Sequence, residues 1–222
     1  MITVHHLNNS RSQRVLWLLE ELGLEYEVRR YERDRKTMLA PPELRAVHPL
    51  GKSPVITDGE LTVAESGAII EHIVGVHGGG RLAPAPGTPE RARWTYWLHY
   101  AEGSAMPPLL LKLVFQRLPH AAPALLRPLI RVVANKAQSS FIDPQLKQHV
   151  DYWERNLAES EWFAGDTFSA ADVQMSFPVE AASSRVGFGP ERPRLRAFLE
   201  RITARPAYQR AIERGGPYTL MK

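Results

Sequence analysis

The sequence predicts a small α/β domain followed by an all-helical bundle. Three observations carry that expectation. Short strand-like runs alternate with helical ones from Ile2 to Val74. Gly78, Gly79, Gly80 and the proline-rich residues 82–89 then interrupt the pattern, as linkers do. Beyond Thr88, long amphipathic runs follow with little strand signal. The boundaries so drawn are 1–78 for the first domain, 79–88 for the linker and 89–222 for the helical domain. A chain of 222 residues is long enough for two such domains.

Residues 2–6 form the first strand candidate. Asn8, Asn9 and Ser10 make a turn and cap cluster, because their side chains hydrogen-bond nearby backbone. Val15, Leu18, Leu19 and Leu22 recur at helical spacing, and Gly23 closes that helix. Residues 26–31 read as a second strand. Pro41, Pro42 and Glu43 open a short helix, with proline tolerated in the first turn. Residues 53–57 and 61–64 are apolar runs joined by Asp58, Gly59 and Glu60. An Asp-Gly pair between strand-like runs signals a hairpin. Glu65, Ser66 and Gly67 lead into a helix over residues 68–74. With a crossover between the first two strands, this β-α-β-α-β-β-α order is a thioredoxin-like arrangement.

In the second domain, residues 91–118, 123–157, 170–185 and 195–214 read as helical. Ser169 and Asp172 form a capping box ahead of the third run, with Phe168 and Val173 placed as a hydrophobic staple. This device is expected to stabilise the helix and to do no chemistry. Met106, Pro107 and Pro108 should kink the first long helix. Trp94, Trp97 and Trp153 are assigned to the core.

Composition excludes several classes. Hydrophobic content of 44% and charged content of 23% are ordinary for a globular chain. No apolar run approaches the roughly 20 residues needed to span a bilayer. The opening MITVHHLNN lacks the basic and apolar regions of a signal peptide, so a cytoplasmic location is expected. The chain has no cysteine, which excludes disulfides, zinc–cysteine sites and a catalytic thiol of its own. Against 24 acidic residues stand 28 basic ones, a net charge of +4. The arginines are scattered rather than clustered with aromatics, so no nucleic-acid partner is expected; an anionic small molecule suits the mild bias better. His5 and His6 are adjacent on a strand and face opposite sides, and no His-Glu-x-x-His spacing occurs. No metal site is therefore expected. The three consecutive glycines follow a helix rather than a strand, so they make no dinucleotide fingerprint.

Residues 48–67, HPLGKSPVITDGELTVAESG, say most about function. A Ser53–Pro54 bond at a strand start leaves backbone polar groups unpaired, because proline cannot donate to a ladder. The Ser66 hydroxyl and the amides after it stand at a helix start, where a carboxylate is favoured. A backbone edge and an anion site a few residues apart suit a short, charged, peptide-like ligand.

This segment, together with SRSQRVLWLLEELGLEYE and APPELRAVHPLGKSPVI, resembles the glutathione-binding domain of glutathione transferases, in particular a subgroup of fungi and bacteria. The resemblance covers nearly the whole chain and is strongest over the first third. It implies glutathione as co-substrate, a small hydrophobic electrophile as second substrate, and a homodimer. It implies that the Ser53 backbone pairs with the cysteinyl unit like an added strand, and that Pro54 is cis. Lys52 stands where relatives hold the glycyl carboxylate. Glu65 and Ser66 match the residues that hold the γ-glutamyl amine and carboxylate. Glu102, on the first long helix, corresponds to an acidic residue that reaches the γ-glutamyl amine across a dimer interface. His48 lies just before the loop, where it packs or caps.

The implied reaction is attack of the glutathione sulfur on an electrophile. A free thiol has a pKa of about 8.5, and lowering it by two units needs roughly 2.7 kcal/mol of extra stabilisation of the anion. A charge-assisted hydrogen bond and a helix N-terminus can supply that. The donor is expected at the turn over residues 8–12. No tyrosine stands there and the chain has no cysteine, so neither the tyrosine-type nor the cysteine-type enzyme fits. Ser10, counted back from Arg14, falls where serine-type relatives place their hydroxyl. Asn9 matches relatives whose donor lies one residue earlier, and Arg11 offers charge. The alternative for Ser10 is a plain helix cap. The electrophile pocket is expected between the domains, with Tyr96, Tyr100, Met106, Leu109, Phe115 and Tyr218 as candidate lining. Two further readings stay open: glutathione-dependent reduction of peroxides or disulfides, and a non-catalytic glutathione-binding interaction module.

Overall fold

A computed structural model describes residues 1–34 and 36–220; the last two positions of the expected helical domain lie outside the described residues. The sheet is built from β1 (Ile2–Leu7), β2 (Tyr26–Tyr31), β3 (Val55–Asp58) and β4 (Leu61–Ala64), in the order β2-β1-β3-β4. β1 runs parallel to β2 and antiparallel to β3, which in turn pairs antiparallel with β4. Val4 sits at the centre, in register with Val28 on one side and Ile56 on the other. The crossover from β1 to β2 is α1 (Ser12–Leu22), so the expected thioredoxin-like arrangement is present. Gly23 ends α1 in the left-handed region, at φ 62°, and its N–H donates to the carbonyls of Glu20 and Leu19. β3 starts two residues later than expected, after Pro54, which has no N–H for the ladder. Gly59 turns the hairpin at φ 60°. The short α2 (Pro42–Val47) precedes the hairpin. α3 (Ser66–His72) follows it and runs into a π turn, Ile73–His77.

The rest of the described chain is helical, and the expected long runs are subdivided. The run over 91–118 is α4 (Pro89–Tyr100), a π turn (Ala101–Ala105) and α5 (Met106–Ala121). The irregularity expected at Met106-Pro107-Pro108 falls one turn earlier. Two consecutive prolines withhold their N–H groups from the carbonyls four residues back, so the preceding turn cannot close as α. The run over 123–157 divides into a short turn (Ala124–Leu126), α6 (Arg127–Ala137), a π turn (Gln138–Ile142) and α7 (Asp143–Glu159). α8 (Ala170–Arg185) keeps its expected bounds, and its capping box is made in both directions. Asp172 also accepts the Phe163 N–H at 2.8 Å. The run over 195–214 is two helices, α9 (Pro193–Thr203) and α10 (Pro206–Gly215). Arg205 between them is extended, as a residue preceding proline prefers.

One hydrophobic core runs through both parts of the chain. Trp17 of α1 meets Phe168 and Tyr208 of the helical part at ring separations of 5.7 and 5.3 Å. Trp94, Trp97 and Trp153 are buried, as expected. α10 lies against α1: Arg205 grips Glu21 through two hydrogen bonds, and Arg210 and Arg214 both reach Glu20. The close approach ends at Gly215. A Cβ there would stand 2.7 Å from Gln13 Oε1 and 2.9 Å from Leu16 Cδ1. Gly215→Ala should destabilise the fold by about 1–3 kcal/mol, the usual cost of overpacking; a thermal melt as stable as that of the unsubstituted protein would contradict this contact.

Candidate active site

Four pieces of chain meet at the open end of the sheet: the β1–α1 turn, the loop into β3, the start of α3 and the π turn after α4. Between them lies a cleft of about 280 Å³. Lys52, Ser53, Pro54, Glu65, Ser66 and Glu102 all line it, together with Arg11, His48 and Leu50. Six residues that span fifty positions of sequence are thus brought together. The Ser53–Pro54 bond is cis. A smaller recess of about 190 Å³ adjoins the cleft and is walled by Arg11, Arg33, Arg45 and Lys52. The combined site is therefore cationic on the Lys52 side and acidic at Glu65 and Glu102.

Glu102 lies in the cleft of its own chain. Arg11 Nε stands 3.0 Å from its Oε2, and Arg14 bonds its Oε1. The π turn at Ala101–Ala105 carries Glu102 towards α1 of its own chain. Burial opposes ionisation of Glu102, but the charges of Arg14 and Arg11 outweigh it and hold the carboxyl below its ordinary range.

Arg14 is the residue that sequence reasoning missed. It is 2% exposed. Its guanidinium donates to Gln174 O at 2.6 Å, to Ser66 Oγ at 3.0 Å and to Glu102. One side chain thus ties α1, α3, the turn after α4, and α8. Its signal was available: Arg14 falls four residues before Leu18 on the buried stripe of α1, where a charge needs partners. Phe177 of α8 lies under both arginines, with its ring centre 5.2 Å from Arg11 Cζ and 5.3 Å from Arg14 Cζ.

The three thiol-activating candidates are placed differently. Arg11 lines the cleft, about one-third exposed. Ser10 is buried at its edge. Its hydroxyl contacts Ser12 Oγ at 2.7 Å and Ser53 Oγ at 3.2 Å, and accepts the Ser12 N–H at 3.3 Å. It therefore does help to cap α1. Ser12 Oγ in turn meets His6 Nδ1 at 2.8 Å. Burial and Arg30 depress the His6 pKa to about 4, against a hydrogen bond to the Gly215 backbone, so the ring is neutral near pH 7. His5, its neighbour on the strand, turns instead to the Tyr31 hydroxyl at 2.8 Å. Asn9 has a positive φ of 47°, and its Oδ1 accepts the Thr219 N–H at 2.8 Å. Its carbonyl thus holds the C-terminal tail beside the turn.

The aromatic candidates separate as well. Tyr100, Met106 and Leu109 are buried in the common core rather than on the cleft. The Tyr100 hydroxyl accepts from Trp153 Nε1 at 3.0 Å and meets His149. It sits among Tyr96, Trp97 and Tyr152 because the α4 spacing directs it into the bundle. Tyr218 comes over from the tail. Its hydroxyl donates to Glu180 Oε2 at 2.9 Å, beside the bond from Tyr208 to Oε1 at 2.8 Å.

Glu65 has a φ of 72° and a ψ of 126°, a conformation that side chains beyond glycine rarely adopt. Such strain costs of order 1–3 kcal/mol and collects at ligand sites. Glu65→Gly is expected to leave the melting temperature unchanged or raised while weakening glutathione binding; a clear loss of stability would contradict the strain.

Comparison with known proteins agrees with this geometry. A family model described as the glutathione S-transferase N-terminal domain matches residues 1–75, and one described as the C-terminal domain matches residues 128–212. The chain is 35% identical to glutathione S-transferase 3 of Schizosaccharomyces pombe, over 99% of this chain and 90% of that one. It is 32% identical to glutathione S-transferase 1 of Saccharomyces cerevisiae, over 96% and 95%. A glutathione S-transferase from Actinobacillus pleuropneumoniae shares its fold with a TM-score of 0.81 and 33% identity, over 97% of this chain and 93% of that one. A thioredoxin-like domain with a cis-proline cleft, joined to a helical domain, is the architecture these relatives share. The chain belongs to the glutathione S-transferase family.

Proposed function

We propose that this transferase holds glutathione in the cleft with its sulfur beside Ser10 and Arg11, and adds the thiolate to hydrophobic electrophiles. As a family member the chain is an enzyme with glutathione as co-substrate. The observation that carries the finer reading is the polarity of the cleft. Lys52 and the arginine-walled recess complement the glycyl carboxylate. Glu65 and Glu102 complement the γ-glutamyl ammonium, and the Ser66 hydroxyl the neighbouring carboxylate. Between the two ends, the Ser53 backbone pairs with the cysteinyl unit.

The Ser10 hydroxyl touches Ser53 and so stands next to that unit. A hydroxyl has one proton. The neutral His6 ring gives its single N–H to the Gly215 backbone, so its Nδ1 accepts from Ser12. Ser10 accepts the Ser12 N–H and gives its own proton to Ser53 Oγ. Turned from Ser53 to the sulfur, that proton stabilises a thiolate, and Arg11 adds charge. The homodimer is proposed with each site built within one subunit, and sedimentation at micromolar concentration reads it.

Incubation with glutathione and either an aromatic halide or an organic peroxide tests the reaction. Conjugate should form faster than glutathione disulfide. Disulfide formed in step with peroxide consumed would favour the reductase reading, and saturable binding with neither product the interaction module.

A further inference from the structure

Outside the cleft, two histidines and an aspartate converge on one point. Asp58 closes β3, His72 closes α3, and His77 closes the π turn that follows. Nε2 of His72 lies 2.9 Å from Asp58 Oδ2, and Nε2 of His77 lies 2.6 Å from the same oxygen. The three ligand atoms lie within 4.8 Å of one another. The rings are 5.9 Å apart, at an interplanar angle of 73°. Residues five apart do not share a face of an α-helix; the wider π turn brings His72 and His77 together, and such turns are frequent at functional sites. None of the three lines the glutathione cleft.

We propose that Asp58, His72 and His77 bind a borderline divalent transition cation, of which Zn2+ is the representative. The donor set is two imidazole nitrogens and one carboxylate oxygen. It suits zinc, nickel or copper better than magnesium or calcium, which prefer oxygen throughout. A tetrahedral ion with bonds of about 2.0–2.1 Å needs its ligand atoms about 3.3 Å apart. The two nitrogen–oxygen separations, 2.9 and 2.6 Å, fall short of that by about 0.4 and 0.7 Å, so both imidazoles must rotate away from Asp58 to admit the ion. The ion would take the place of the two N–H groups that now point at one oxygen, each neutral ring shifting its proton from Nε2 to Nδ1. The side chains are 15–31% exposed, which leaves a path for the ion and a fourth position for water. Bound metal would clamp the end of the hairpin to the end of α3, the two elements whose other ends carry Pro54 and Ser66.

Titration of the untagged protein with Zn2+ alone, against a chromophoric chelator, tests this. One saturable site per chain is expected, with a rise in melting temperature. Asp58→Asn, His72→Gln and His77→Gln should each weaken it by at least the roughly 10–100-fold that even an outer-shell partner carries. Equal affinity in the His72→Gln/His77→Gln protein, or no saturable site in the unsubstituted one, would overturn the assignment. Should a variant fail to fold, zinc-edge anomalous scattering from a soaked crystal of the unsubstituted protein decides it. A peak among the three side chains supports the site; a peak elsewhere, or none, overturns it.

Discussion

Arg14→Met is expected to destabilise the protein by about 3 kcal/mol and to remove most of its glutathione affinity. The substitution keeps the apolar stem of the side chain and deletes its donors. Glu102 then keeps a carboxylate on the cleft wall without its main partner, and breaking a buried pair from one side costs about 3–5 kcal/mol. Glu102 is about one-quarter exposed, which places the effect at the low end. The Gln174 carbonyl and Ser66 hydroxyl lose a donor in addition. Arg14→Lys should rescue little, because one ammonium cannot reach three acceptors in a planar fork. Denaturant melts read the effect. Adding Glu102→Gln should return part of the lost stability by neutralising the stranded charge. A double variant no more stable than Arg14→Met would show that the pair is not what holds this corner together.

Ser10→Ala should lower kcat tenfold or more, as loss of a donor to a developing anion does. The fold should tolerate it, since Ser12 keeps its bond to His6 and the backbone of α1 is unchanged. Arg11→Gln should cost less, because a guanidinium one-third exposed acts through partly screened charge. Ser12→Ala removes the hydroxyl 2.7 Å from that of Ser10 and should fall between the unsubstituted enzyme and Ser10→Ala. Stopped-flow conjugation with an aromatic halide separates the four. If Ser10→Ala turns over normally while Arg11→Gln is crippled, the hydroxyl is only a cap and charge alone activates the sulfur.

Much of the fold was legible because its signals are local. Gly23, the Asp58-Gly59 turn and the Ser169–Asp172 box each specify a backbone conformation within a few residues. On the cleft, the Ser53–Pro54 edge and Ser66 were legible for the same reason, since one hairpin and its flanks deliver them; Lys52 and Glu65 were expected there only from the family resemblance. Distant partners were not. Arg14 is read as a helix residue until Gln174, Ser66 and Glu102 arrive from three other elements. His6 and Ser12 meet only when β1 and α1 are folded against each other. The contacts of Glu102 with Arg11 and Arg14 could not be read from spacing, because they depend on a π turn. The Asp58–His72–His77 cluster escaped for the same reason: searches at α-helical spacing pass over residues five apart. Tyr100 ends α4 and Met106 starts α5, helices whose buried faces sequence alone does not orient, and the core took both.

The account rests on a glutathione sulfur that is anionic at neutral pH. Thiolate absorbance of the enzyme–glutathione complex, followed against pH, measures this directly. A bound thiol pKa about two units below the free value of about 8.5 is expected, moving back up in Ser10→Ala. A complex that forms tightly but titrates like free glutathione would contradict it.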